Sequence, residues 1–170
     1  MNADKVALKQ WIIAGLQIPE VRDGFGDSGY LFGNMIAKYS SADTVYSISE
    51  KALKIMKDEN FDLTATHARG NKFLYGKKTS PFVQEHQIPT NVIRRYLLNL
   101  DNSQAINAAF NNFGSVSILT REEDQMLKEH GLNKDMPAGW KWGDNPLSRY
   151  QAAGIEISNV SLNVKGALKR

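Results

Sequence analysis

The sequence predicts an α+β domain: a mainly helical part over 1–58, followed by short strands and helices in alternation. Three observations point there. Apolar residues recur at helical spacing up to about Lys57; short β-rich runs follow Asp58-Glu59-Asn60; and a capping signal opens a late helix at Thr120. At 170 residues the chain suits one domain, 1–170, with parts at 1–58, 63–131 and 132–170. A domain of this size buries roughly two thirds of its unfolded surface, so a core holds without covalent staples.

Each element follows from its own residues. Residues 4–16 carry Val6, Trp11, Ile12, Ile13 and Leu16 on a broad helical face. Pro19 and the glycines at 24, 26 and 29 predict a loop, and 30–39 a short helix. Gly24-Phe25-Gly26-Asp27-Ser28-Gly29 lacks the Lys-Ser/Thr of a phosphate-binding loop and has no strand before it. Asp43 or Thr44 caps a helix to about Lys57, with Val45, Ile48 and Leu53 inward. Residues 63–76 read as a hairpin around Ala-Arg-Gly-Asn, and 82–88 as a strand stopped by Pro89. Helices are expected over 91–100 and 103–110, and a strand over 116–119. Thr120-Arg-Glu-Glu123 is a capping box, and its helix closes at Gly131. A loop holds Trp140-Lys141-Trp142, a helix runs from Asp144-Asn145-Pro146 to Gly154, and 155–164 alternates as a last strand.

Composition narrows the chemistry. Cysteine is absent, which excludes disulfides, Fe–S clusters and Cys-based zinc sites. No run is apolar for the roughly 18 residues a membrane span needs, and the start lacks a signal-peptide pattern, so a cytoplasmic chain with no membrane contact is expected. The net charge of +3 is a mild lean toward a polyanion. Its distribution is sharper: Arg69, Lys72, Lys77 and Lys78 fall in a stretch between Asp62 and Glu85 that contains no acid. Arg94, Arg95, Lys141 and Arg149 add cations downstream, Arg149 being able to meet a phosphate or an acidic side chain. Trp140 and Trp142 either stack on bases or pin their loop to the core.

The three histidines are His67, His86 and His130. His86 follows Glu85 directly, and adjacent strand residues share one site only at a strand end or bend, which Pro89 helps to provide. Glu85-His86-Gln87-Ile88-Pro89 resembles the first signature of the HNH, or His-Me finger, endonucleases. Val116-Ser-Ile-Leu-Thr-Arg-Glu-Glu-Asp-Gln125 is similar to the strand and helix that supply the family's second metal ligand. The resemblance covers about residues 80–131. It implies a ββα-metal finger with a helical insertion, set between the helical N-terminal part and a C-terminal helix and strand. It further implies a divalent cation, Mg²⁺ or Mn²⁺, and a nucleic-acid substrate, DNA favoured over RNA. In that reading His86 activates water, Glu85 binds the cation, and Asp124, Glu123 or His130 completes the shell. Gln125 stands where the family has Asn or His, so the second ligand stays open among these three. Glu123 also has its capping role, and His130 is favourable near a helix C-terminus through the dipole alone. The expected function is a metal-dependent endonuclease of restriction, phage-defence or toxin type, compatible with a homodimer. The alternative is a non-catalytic nucleic-acid-binding or protein-interaction module.

Overall fold

Four strands form one sheet in the order β2-β3-β1-β4, where β1 is Val45–Ser49, β2 Phe82–His86, β3 Val116–Thr120 and β4 Ile157–Asn163. The structure, a computed structural model, describes residues 3–68, 70–75 and 79–165, with only the backbone of Ala3 and Asp4. β1 and β3 run parallel at the centre; β2 and β4 are the antiparallel edges. The chain is therefore α+β, as its patterning predicts.

Strand alternation gives the sheet two apolar faces. Tyr46, Ile48, Phe82, Val116, Ile118 and Leu162 meet α4 (Glu50–Asp58) through Ala52, Leu53 and Met56, and the segment carrying Phe61, Phe73 and Leu74 closes over them. Val83 and Leu119 on the other face pack with Leu127 of α7 (Arg121–Glu129) and Tyr150 of α8 (Ser148–Ala152). A separate core joins α1 (Ala3–Leu16), α2 (Pro19–Asp27) and α3 (Gly29–Ser40) to α5 (Thr90–Leu98) and α6 (Ser103–Ala109). There Ile12, Phe25, Phe32, Ile36, Ile93 and Ile106 are buried together. α5 and α6 intervene between β2 and β3, where the sequence predicts helices over 91–100 and 103–110. α7 follows β3 directly and packs against both β2 and β3.

Four local expectations differ, the simplest being the last helix, which covers only Ser148–Ala152 with turns on either side instead of running from Asp144 to Gly154. Residues 19–27 are helical, because Pro19 occupies the first turn, where its missing N–H and fixed φ cost nothing. The helix expected from Asp43 is instead β1 followed by α4: Tyr46 and Ile48 are buried at period two, and Ser49 caps α4 by accepting from the Ala52 N–H at 3.1 Å. Among the described residues of 63–76 there are turns and one parallel bridge, His67 to Val164, in place of a self-paired hairpin. Asp62 organises the start of that segment by accepting from the Thr64 and Ala65 N–H groups.

One carboxylate joins the two central strand ends. Glu123, 2 % exposed, completes the capping box of α7, its Oε2 accepting from the Thr120 N–H at 2.8 Å. The same oxygen accepts from the Ser49 hydroxyl at 2.6 Å, so the starts of α4 and α7 are cross-linked. Removing a cap costs typically about 1 kcal/mol. Ser49→Ala removes the α4 cap while Glu123 Oε2 keeps its Thr120 N–H and hydroxyl donors, so it should lower stability in urea unfolding by about 1 kcal/mol. An unchanged midpoint would mean that the Ala52 N–H finds a substitute acceptor.

Candidate functional site

The end of β2 is held from behind by Arg149. Its side chain is fully buried, and α8 aims it at the strand end. Nε donates to the Gln87 carbonyl at 3.0 Å and Nη1 to the Leu132 carbonyl at 2.8 Å. Nη2 donates to Glu85 Oε2 and to the His86 carbonyl. A desolvated guanidinium is tolerable only when its N–H groups meet acceptors and its charge meets a counter-charge, and both conditions hold here. Of the two partners open to Arg149 in the sequence, the acidic side chain is the one it takes. As a nucleic-acid contact it is corrected, since no solvent reaches it.

Gln87 continues this buried polar row. Its Nε2 donates to Ser47 Oγ at 3.3 Å and Ser117 Oγ at 3.4 Å, and its Oε1 accepts from the Ser115 N–H. Gly114 turns there with φ of 69°, and a Cβ on it would lie 3.2 Å from Gln87 Oε1. Glycine meets both demands at that corner.

In front of the strand lies a cleft of about 280 Å³, lined by Tyr75, Phe82, Val83, Gln84, Glu85, Arg121 and Asp124. Residues from both faces of β2 line it because β2 is an edge strand. Glu85 and Asp124, expected as metal ligands, thus come together from a strand and a helix. Burial raises the Glu85 carboxyl above the usual range, the Arg149 guanidinium and its hydrogen bond pull it down, and the Asp124 charge pushes it up again. Asp124 accepts from Lys128 at 2.6 Å one turn along α7. Arg121 anchors its Nε on the Ser80 carbonyl at 2.8 Å.

The other expected ligands lie elsewhere. Glu123 is committed to its cap and to Ser49, inside the sheet layer. His130 is exposed at the C-cap of α7, with Nδ1 2.8 Å from the Met126 carbonyl oxygen. Glu123 and His130 are seven residues apart, a spacing that puts two residues on one face of a continuous helix, but α7 ends before His130. His86 is the last residue of β2, half-buried and paired with Val116, one residue beyond the cleft lining. Alternation turns its side chain toward the face of Phe82 and Val116, opposite that of Glu85. Among the described residues no group of three or more His, Cys, Asp or Glu is placed to hold a metal ion.

Of the expected nucleic-acid contacts, Arg69, Lys77 and Lys78 lie outside the described residues. Lys72 and Lys141 are exposed; Arg95 pairs with Asp135; Arg94 is half-buried in the middle of α5. Trp142 stacks on Tyr96 at 4.1 Å between centroids and meets Phe113 edge-on, so it pins its loop to the helical core. The Trp140 indole N–H donates to the Asn145 carbonyl at 3.2 Å. Tyr75 and Arg121 were missing from the site expected from the sequence. Arg121 sits inside the run that resembles the family, whereas nothing local marks Tyr75. No helix among the described residues is long and apolar enough to cross a membrane.

No family model, curated protein or solved structure matches the chain.

The raised Glu85 carboxyl has a measurable sign. The folded state holds this proton at higher pH than the unfolded chain does, so the group's contribution to stability falls as pH rises from the unfolded value through the folded one. Unfolding of the protein and of Glu85→Gln, followed from pH 4 to 7, should show the stability difference shrinking for the native carboxyl as pH rises. A difference that grows with pH would mean that Arg149 outweighs burial and lowers the carboxyl instead.

Proposed function

We propose that this chain is a metal-dependent endonuclease that hydrolyses phosphodiester bonds of nucleic acid, DNA in preference to RNA, in the cytoplasm. The observation that carries the reading is the meeting of Glu85 and Asp124 in one cleft beside the cation Arg121. Two carboxylates and no thiol fit a hard cation such as Mg²⁺ or Mn²⁺, which needs one or two protein oxygens and completes its shell with water and substrate phosphate. When bound, such an ion neutralises charge on the scissile phosphate and stabilises the leaving oxygen.

The remaining work belongs to the chain. Arg149 fixes the Glu85 carboxylate through Oε2 and holds the end of β2 through the His86 carbonyl. Arg121, anchored on Ser80, supplies guanidinium N–H groups that orient a phosphate in the cleft. The family resemblance assigns His86 the proton of the attacking water; it ends the edge strand one residue beyond the cleft lining, on the face opposite Glu85, so this role requires its imidazole to reach the cleft around the strand end. A second reading, a nucleic-acid-binding module without catalysis, draws on a specific observation. Glu85, Asp124, Glu123 and His130 each already have a partner inside the protein.

Plasmid cleavage separates the two. The protein should nick DNA with Mn²⁺ or Mg²⁺ and stop on EDTA, and Asp124→Ala should abolish cleavage while duplex affinity persists. His86→Ala should slow cleavage by about 10²–10⁴-fold, the usual contribution of a general base. Duplex binding with no cleavage under any metal would favour the second reading. Full activity in His86→Ala would remove that residue from the chemistry.

A further inference from the structure

A second cleft, of about 440 Å³, lies where α3 meets the start of α5, lined by Gly29, Gly33, Thr90, Asn91, Arg94 and Lys134. We propose that it binds a backbone phosphate of the nucleic-acid strand whose scissile bond lies at the β2 edge, an inference that rests on the nuclease reading. Charge carries it. Among the described residues neither Arg94 nor Lys134 forms an ion pair with an acid. Two cations share a concave surface on which none of the lining residues is acidic. That arrangement attracts an anion, and the concavity concentrates the field.

The Arg94 head is positioned rather than spent. Nη1 donates to the Gly26 carbonyl at 3.2 Å and Nη2 to Asn91 Oδ1 at 3.4 Å, leaving further N–H groups of the guanidinium for a phosphate. Gly29 makes room for it: a Cβ there would lie 2.7 Å from Nη1. Gly33 leaves open space, with nothing within 4 Å of an added Cβ. Location adds the functional sense. Thr90 is four residues beyond His86, so the two are at most about 14 Å apart along the chain. Phosphates recur about every 3.4 Å of helix axis on each strand, so one strand can reach both places within a few nucleotides.

The test reads binding alone, in EDTA, by fluorescence anisotropy of a short labelled duplex across a salt series. Arg94→Ala and Lys134→Ala should each reduce the slope of log affinity against log salt by about 0.9 for every phosphate that the variant no longer neutralises. Gly33→Asp, which adds a carboxylate to the cleft without touching either cation, should weaken binding, while Gly33→Asn should bind like the native protein. Unchanged slopes, or equal effects of Asp and Asn at Gly33, would overturn the proposal. Inorganic phosphate that raises the melting temperature of the native protein but not of Gly33→Asp, with no duplex binding, would overturn it in favour of a small free phosphate. Slope changes in a protein that never cleaves DNA would support the cleft and sink the nuclease reading separately.

Discussion

Arg149 is the constraint around which the sheet edge is arranged. A guanidinium with no solvent contact must find acceptors in fixed directions, and it finds them in Glu85, the His86 and Gln87 carbonyls and the Leu132 carbonyl. These bonds tie the exit of β2, the segment after α7 and helix α8 into one unit. Removing one member of such a pair leaves an uncompensated buried charge, at a typical cost of about 3–5 kcal/mol. Replacing both members by apolar groups often costs little, so stability alone does not account for the pair. What it does give is a carboxylate held at the rim of a cleft in a single orientation.

The two central strands end in a related way. β1 and β3 run parallel and each passes directly into a helix, so two helix N-termini, each with unsatisfied N–H groups, arrive side by side. Ser49 and the Thr120–Glu123 capping box satisfy both, and the Ser49–Glu123 bond couples them. Glu123 therefore belongs to the framework that fixes α7, while Asp124, the next residue, is left facing the cleft. A change of one residue along a helix turns the side chain by about 100°, which is why neighbouring acids in one run take unlike roles.

Locally encoded features were legible. The α7 capping box, the Pro89 stop and the α5 period each depend on a few consecutive residues. Non-local features were not. Val45, Ile48 and Leu53 fit helical spacing while Tyr46 and Ile48 fit strand alternation, and only pairing with β3 and β4 decides for β1. Pro19 reads equally as a breaker and as a first-turn residue, and the packing of Phe25 on Phe32, with rings 4.4 Å apart, settles α2. In the site, Glu85 and Asp124 could be named from the sequence, because the resembling motifs contain both. The partner of Arg149 depended on tertiary placement, as did the commitment of Glu123 and the pinning of Trp142 on Tyr96.

In the proposed endonuclease, Glu85 and Asp124 would hold one divalent cation between them when phosphate is present. Calorimetric titration of Mn²⁺ into a complex of the His86→Ala protein with a short duplex measures this directly, since the substitution leaves both carboxylates in place. Single-site binding is expected, and it should disappear when Asp124→Asn is added, with the duplex still bound. Mn²⁺ binding of undiminished affinity in the Asp124→Asn protein would contradict the claim.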